Sequence, residues 1–340
     1  MSRTVISMRG ITKDFGKVHA LSGVDLSVDA GEIYGFIGPN GAGKSTTIRI
    51  LLGILSADSG RARIFGKDVW HDAVDIHRRV SYVPGDVNLW PSLTGGEVID
   101  MFVRLKKSGD KNYRKELIER FDFDPTKKCG TYSKGNRQKV ALIAAFSTDA
   151  DLYILDEPTS GLDPLMEMVF RDCVRRETQR GKTVFLSSHI LSEVEQLCTR
   201  LSIIRQGKIV DTGSLRDLQH LTRNQVHVEA DGDLGGLSSL DGVHDLVLKP
   251  GEAEFHLDNA HTAAVLAYLA GHRATRFVSA PPTLEELFMS HYALEEEQET
   301  EALDAPDQDQ ETEAQTPQDV ELDDLESEAQ EIQALEQEQE

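Results

Sequence analysis

Between residues 3 and 35, apolar pieces such as Val5-Ile6-Ser7-Met8 and the alternating Leu21-Ser22-Gly23-Val24-Asp25-Leu26-Ser27-Val28 are punctuated by Gly and Asp. That pattern predicts a small antiparallel sheet. Glu32-Ile33-Tyr34-Gly35-Phe36-Ile37 is an apolar run short enough for a buried strand, and Ser45 to Leu52 after it has helical spacing. From about Gly85 to Ser147 the period becomes helical. Thr94-Gly95-Gly96-Glu97 has capping-box spacing ahead of Val98-Ile99-Asp100-Met101-Phe102-Val103, a second helix is predicted over Tyr113 to Phe121, and a third over Gly135 to Phe146. Two more apolar runs, Asp151 to Asp156 and Thr183 to Ser187, bracket a helix predicted over Pro164 to Arg180. This is a βαβ unit, and hence a parallel sheet with a helical block inserted in it. Leu201 to Val210 reads as two strands about a Gln206-Gly207 turn.

The character changes near Asn224. Strands are predicted at Val226-His227-Val228, Val243 to Leu248, Glu254 to Leu257 and Arg276 to Val278, with helices over His261 to Leu269 and Pro282 to Tyr292. Beyond Glu295 the chain is rich in Glu, Gln and Asp and carries Pro306 and Pro317, a composition that cannot supply a buried core. Leu322, Leu325, Ala329 and Ile332 keep a weak helical spacing there, opposed by unneutralised acids. The expected organisation is an α/β domain over 1–222 with its helical block at about 85–150, a small α+β domain over 223–293, and an acidic, disordered tail over 294–340.

Charge sharpens this division. The 340 residues carry a formal net charge of −22, but Glu295 to Glu340 alone holds 20 Asp and Glu and no Lys or Arg, leaving about −2 for residues 1–294. The folded part is nearly neutral and has no basic stripe for nucleic acid. Cys129, Cys173 and Cys198 are widely separated and odd in number, as in a reduced cytoplasmic protein. No run reaches the ~18 apolar residues of a membrane span, and the first residues lack a signal-peptide core.

The chemistry begins at Gly38-Pro39-Asn40-Gly41-Ala42-Gly43-Lys44-Ser45-Thr46, which fits G-x-x-x-x-G-K-[ST] between a predicted strand and a predicted helix. Gly38, Gly41 and Gly43 let backbone N–H groups converge on phosphate oxygens at a helix N-terminus, Lys44 adds charge for the β- and γ-phosphates, and Ser45 offers a hydroxyl to Mg²⁺. Asp156 ends a buried strand beside this loop and is placed to hold Mg²⁺, while Glu157 can polarise a water. His189, just beyond the next strand, falls on the same sheet edge. Ser133 and Gly135 at a second helix start make another anion site, which suggests a head-to-tail dimer with nucleotide between copies. Phe15 beside Gly16 is an aromatic that can stack on a base or sit in a hairpin.

In motif order and spacing, residues 3 to about 220 resemble the ATP-binding subunit of ATP-binding cassette (ABC) transporters. The resemblance implies ATP and Mg²⁺ as cofactors, Phe15 as the adenine-stacking aromatic, and Gly38 to Thr46 as the phosphate loop. It implies Tyr132 to Asn136 as the signature, Asp156 as metal ligand, Glu157 as catalytic glutamate, Ser160 to Asp163 as the D-loop, and His189 as the switch histidine. A homodimer or paired ATPase subunit is then expected, peripheral on the inner face of the membrane through a permease on a separate chain. The C-terminal domain and the wording YSKGNRQKV resemble single-cassette exporters of drug, antibiotic or lipid-like cargo. A groove near Gly85 to Pro91, with Leu89 and Trp90, is expected to take the permease helix, Trp90 reading equally well as ordinary core.

Two departures bear on the site. Gly85 followed by Asp86 stands where the family has a glutamine, so Asp86 or a water is expected to fill the gap at the metal. Lys134 and Asn136 replace a glycine and the glutamine of the signature. Gly85 also keeps open a nucleotide-gated module that scarcely hydrolyses, beside a non-transport ATPase of the same family.

Overall fold

The computed structural model describes residues 4–106, 109–215, 217 and 223–281. The chain opens with an antiparallel hairpin, β1 (Thr4–Phe15) and β2 (Val18–Asp29), followed by β3 (Ile33–Ile37), buried at every residue, and α1 (Lys44–Leu51). Then come β4 (Ser59–Ile64), β5 (Lys67–Asp68), the short α2 (Ala73–His77) and β6 (Val80–Val83). Three helices follow: α3 (Gly95–Lys106), α4 (Lys111–Arg120) and α5 (Lys134–Phe146). The chain then alternates β7 (Leu152–Asp156), α6 (Pro164–Gln179), β8 (Thr183–Ser188) and α7 (Leu191–Leu197), and closes on the hairpin β9 (Arg200–Arg205) and β10 (Lys208–Ser214).

These strands make two sheets. One is antiparallel, in the order β2-β1-β4-β5; the other runs β10-β9-β3-β8-β7-β6, parallel except for β10 at its edge. The continuous apolar runs now have a physical reason, because successive side chains of a strand point to opposite faces and both faces are covered. Tyr34, Phe36, Ile154 and Phe185 pack on one side with Ile6, Met8, Val24, Ile48 and Leu51. Ile33, Ile37, Tyr153, Leu155, Val184 and Leu186 pack on the other with Val140, Ile143, Phe170 and Val194. Parallel strands place all their carboxyl ends on one edge, and the chemistry collects there.

The predicted capping box forms at the start of α3. The Thr94 N–H donates to Glu97 Oε2 at 2.7 Å, and the Glu97 N–H donates to Thr94 Oγ1 at 3.2 Å. The predicted Gln206-Gly207 turn joins β9 to β10 with both residues at positive φ, 46° and 75°. Short elements went unread: α2 and α7 are too brief to display a helical period, and β4 and β5 carry Arg61, Arg63 and Lys67 on their open face.

A third sheet, order β12-β13-β11-β14, comprises β11 (Asn224–Ala230), β12 (Val243–Lys249), β13 (Glu252–Leu257) and β14 (Ala274–Ala280). With α8 (Thr262–Gly271) it encloses its own core of Val226, Val228, Phe255, Leu257, Val265 and Leu269. His227, His244 and His256 pair with Glu254, Asp258 and Asp245 at 3.5, 3.0 and 3.1 Å, and the described residues hold no cluster of three or more metal-ligating side chains. The helix predicted over Pro282 to Tyr292 and the acidic tail lie outside the described residues.

Cys129, Cys173 and Cys198 are buried free thiols, and burial pushes Cys173 up to about 11 and Cys198 further still. Among the described residues no helix is long and apolar enough to cross a membrane.

Phe185 is fully buried, its ring centroid 6.1 Å from that of Tyr34 and 5.5 Å from that of Phe36. Phe185→Ala opens a cavity at the middle of the central sheet and is expected to cost about 3–5 kcal/mol, read as a lower urea midpoint by circular dichroism.

Candidate active site

The loop between β3 and α1 is fixed by backbone contacts that admit only glycine. A Cβ on Gly38 would stand 2.2 Å from the Ile204 carbonyl oxygen, and one on Gly43, whose φ is 110°, would stand 2.8 Å from the Ala20 carbonyl oxygen. The Gly207 N–H donates to the Ala42 carbonyl at 3.0 Å, tying the loop to the β9–β10 turn. α1 starts from Gly43 with no acidic residue in its first turn, so its positive end stays unneutralised. Lys44 is only 5% exposed; its Nζ donates to the Gly38 carbonyl at 2.7 Å and the Pro39 carbonyl at 3.2 Å. Ser45 is exposed, and Thr46 half-buried.

The carboxylates arrive on β7, two strands from β3. Asp156 is buried at its end, and the Ser187 hydroxyl on neighbouring β8 donates to Asp156 Oδ1. The same hydroxyl accepts from the Glu157 N–H at 3.2 Å, and the Ser187 carbonyl accepts from it at 3.1 Å. These bonds hold Glu157 at φ 45°, a left-handed conformation worth roughly 1–3 kcal/mol of strain in a non-glycine residue. The turn re-aims its side chain at the loop: Glu157 Oε1 lies 3.5 Å from Lys44 Nζ and 3.2 Å from His189 Nδ1. His189 also lines, with Gly38, Pro39, Asn40 and Leu191, a pocket of about 240 Å³. Lys44, Glu157 and His189, predicted from separate stretches, therefore meet around one carboxylate oxygen.

The predicted substitute at the metal does not join them. The Cβ direction of Gly85 faces Asp156, 3.7 Å from Oδ2, whereas Asp86 is exposed and accepts from the Asn88 amide at 3.3 Å. Asp86, expected at the metal, stands here as an exposed residue whose carboxylate is engaged by Asn88. Tyr82, two residues before Pro84, is pushed up to about 12 by its burial and then by the charge of Asp156.

Gly135 packs against the turn that follows Glu157, with Ser133 exposed just before it. Ser133 caps α5, accepting from the Asn136 N–H at 3.3 Å, and Gly135 lies so near Gly161 that a Cβ would fall 2.4 Å from its carbonyl oxygen. Gln138, 1% exposed, donates to the Pro158 carbonyl at 2.9 Å. Asp163 caps α6, accepting from the Met166 N–H at 3.0 Å. Phe15 is 49% exposed at the end of β1, with Lys13 Nζ 5.7 Å from its ring centre. Sequence reasoning missed Ser187 and Gln138; the signal for Ser187 was a serine closing an apolar strand next to a carboxylate-bearing one.

The model of the family described as ABC transporter matches residues 21–160, and that of the ATP-binding protein DrrA1-3-like C-terminal domain matches residues 213–292. A daunorubicin resistance ATP-binding protein of Streptomyces coeruleorubidus is 36% identical over 248 residues, 71% of this chain and 78% of that one. The chain belongs to the ABC transporter ATP-binding family. This cassette binds ATP and is an ATPase. It is also 35% identical, over 61% of its own length and 69% of the other's, to the bacitracin transport ATP-binding protein of Bacillus licheniformis. Among solved structures, an ATP-binding subunit of an ABC transporter shares 28% identity at a TM-score of 0.59, over 64% of this chain and 92% of that one. A cassette solved as a post-hydrolysis dimer with ADP and Pi has the same fold, with a TM-score of 0.57 at 23% identity over 62% of this chain and 99% of that one.

Because Asp86 is turned to solvent beside Asn88, Asp86→Ala is expected to leave the ATPase rate of the cassette within about twofold, as surface substitutions away from any network do. Steady-state phosphate release checks this.

Proposed function

We propose that two copies of this cassette close head-to-tail around two ATP molecules, hydrolyse them, and drive a permease on a separate chain that exports drug-, antibiotic- or lipid-like cargo. The observation that carries the reading is the meeting of Lys44, Glu157 and His189 at one carboxylate oxygen on the sheet edge. Lys44 presents donors whose present partners are loop carbonyls, exchangeable for β- and γ-phosphate oxygens. Glu157 is the general base for the attacking water, and His189 orients its carboxylate. Phe15 supplies an exposed ring for adenine. Gly135 packs against Gly161 of its own chain while Ser133 beside it is exposed, and the phosphate that the two meet is the partner's; Asp163 contributes at the same junction of the two copies.

The donor set fits Mg²⁺. Asp156 keeps Oδ2 on the Gly85 side while Ser187 occupies Oδ1, and the exposed Ser45 hydroxyl is the second oxygen donor. When bound there, Mg²⁺ neutralises charge on the phosphate oxygens. With no side chain at Gly85, the Oδ2 side of Asp156 would be left open to water.

An apolar groove of about 280 Å³, lined among others by Ile54, Val87, Leu89, Phe102 and Ala141, opens beside Gly85. Lys106 in its wall donates to the His77 and Val80 carbonyls, and burial lowers its pKa, so the groove presents little free charge. It suits an amphipathic cytoplasmic helix of the permease. Trp90 stands outside the lining, exposed. The export direction rests on the relatives, which are named for daunorubicin resistance and bacitracin transport.

Glu157→Gln is expected to retain ATP binding, slow turnover about 10²–10⁴-fold, and accumulate an ATP-dependent dimer in gel filtration. A variant that hydrolyses at the wild-type rate removes Glu157 from catalysis. A cysteine at Leu89 is expected to cross-link to the permease in membranes; cross-links confined to another face reject the groove.

A further inference from the structure

The signature segment departs from the pattern it resembles at Lys134, and the structure gives that side chain a partner in its own chain. Lys134 Nζ donates to Ser160 Oγ at 2.6 Å. Its stem lies along the same turn, with Cγ and Cδ 3.3 and 3.4 Å from where a Cβ of Gly161 would stand. Gly135 meets the Gly161 carbonyl at backbone contact distance, and Gln138 one turn later holds the Pro158 carbonyl. The first two turns of α5 are thus fastened to residues 158–161 at three points. That segment continues directly from Glu157, and Ser133 immediately precedes Lys134.

We propose that Lys134 is a positioning residue: through its bond to Ser160 it ties the signature turn, which meets one ATP, to Glu157, which works on the other. The inference rests on the dimer proposed above. The two glycines leave no slack between the turns, so a shift of Ser133 against the partner's phosphate is passed to residues 158–161 and sets the aim of Glu157. Coupling then runs through a contiguous chain of packed atoms, and its signature is cooperativity between the two ATP sites. A glycine at 134 has no such tether to offer.

A double-mutant cycle on the full chain tests this, using Lys134→Met, Ser160→Ala and the pair, with ATPase followed across ATP concentration. Each single variant is expected to lower kcat about 3- to 10-fold, the scale of one charge-assisted hydrogen bond at a partly exposed site. The Hill coefficient should fall towards 1 while KM changes less than about twofold. The double variant should be no worse than either single one, and Lys134→Arg should keep the cooperativity. Additive losses mean that Lys134 acts on something other than Ser160, such as phosphate, and overturn the proposal; so does a Hill coefficient that the variants leave unchanged. Gel filtration with ATP separates the two readings. If Glu157→Gln alone fails to dimerise, the proposed function fails. If it dimerises and Glu157→Gln with Lys134→Met does not, Lys134 is an assembly contact and only the positioning role falls.

Discussion

A buried ammonium sets the terms for the rest of the cassette. Lys44 is 5% exposed, and an unpaired charge at such a depth costs several kcal/mol, so its surroundings must supply acceptors. Two come from the loop itself, the Gly38 and Pro39 carbonyls, and reach Nζ because the loop folds back hard against Ile204 and Ala20, where only glycines fit. A third acceptor, Glu157, is brought from a distant stretch by sheet topology, since β7 stands two strands from β3 with β8 between them. An arrangement that neutralises Lys44 with exchangeable oxygens is also one that a phosphate can enter.

The central sheet does the positioning with little help from side chains on loops. Its parallel register puts Asp156 opposite Ser187, and one hydroxyl then serves two carboxylate-bearing residues, donating to Asp156 and accepting from the Glu157 N–H. The strained φ of Glu157 is stabilised by that bridge and by packing on both faces of β7. α5 approaches the same turn from the helical block, and the meeting of Gly135 with Gly161 sets how closely. Site and block are joined at the backbone, with no side chain between them at that point.

What could be read from the sequence divides along a physical line. Local signals were legible: the Thr94–Glu97 capping box, the Gln206-Gly207 turn, the two-sided strands at Ile33–Ile37 and Leu152–Asp156, and the phosphate loop all depend on neighbours close in the chain. Contacts between distant stretches were not. Lys134 could be placed in the signature but not on Ser160, because that pairing depends on the approach of α5 to a turn more than twenty residues away. Asp86 was offered to the metal by adjacency to Gly85, yet neighbouring residues in this bend face different ways, and it is Gly85 whose Cβ direction faces Asp156. The small domain over β11–β14 was legible as α+β from its alternating strands, while its histidines gave no hint of their carboxylate partners.

All three cysteines sit inside the core, at 3%, 0% and 7% exposure, and burial holds each thiol in its protonated, unreactive form. For spectroscopy this is a ready-made silent background. Spin labels or fluorophores attached at chosen surface positions report on the cassette without first stripping its native thiols, and so without the repacking that such stripping would impose on α6, α7 and the segment before α5.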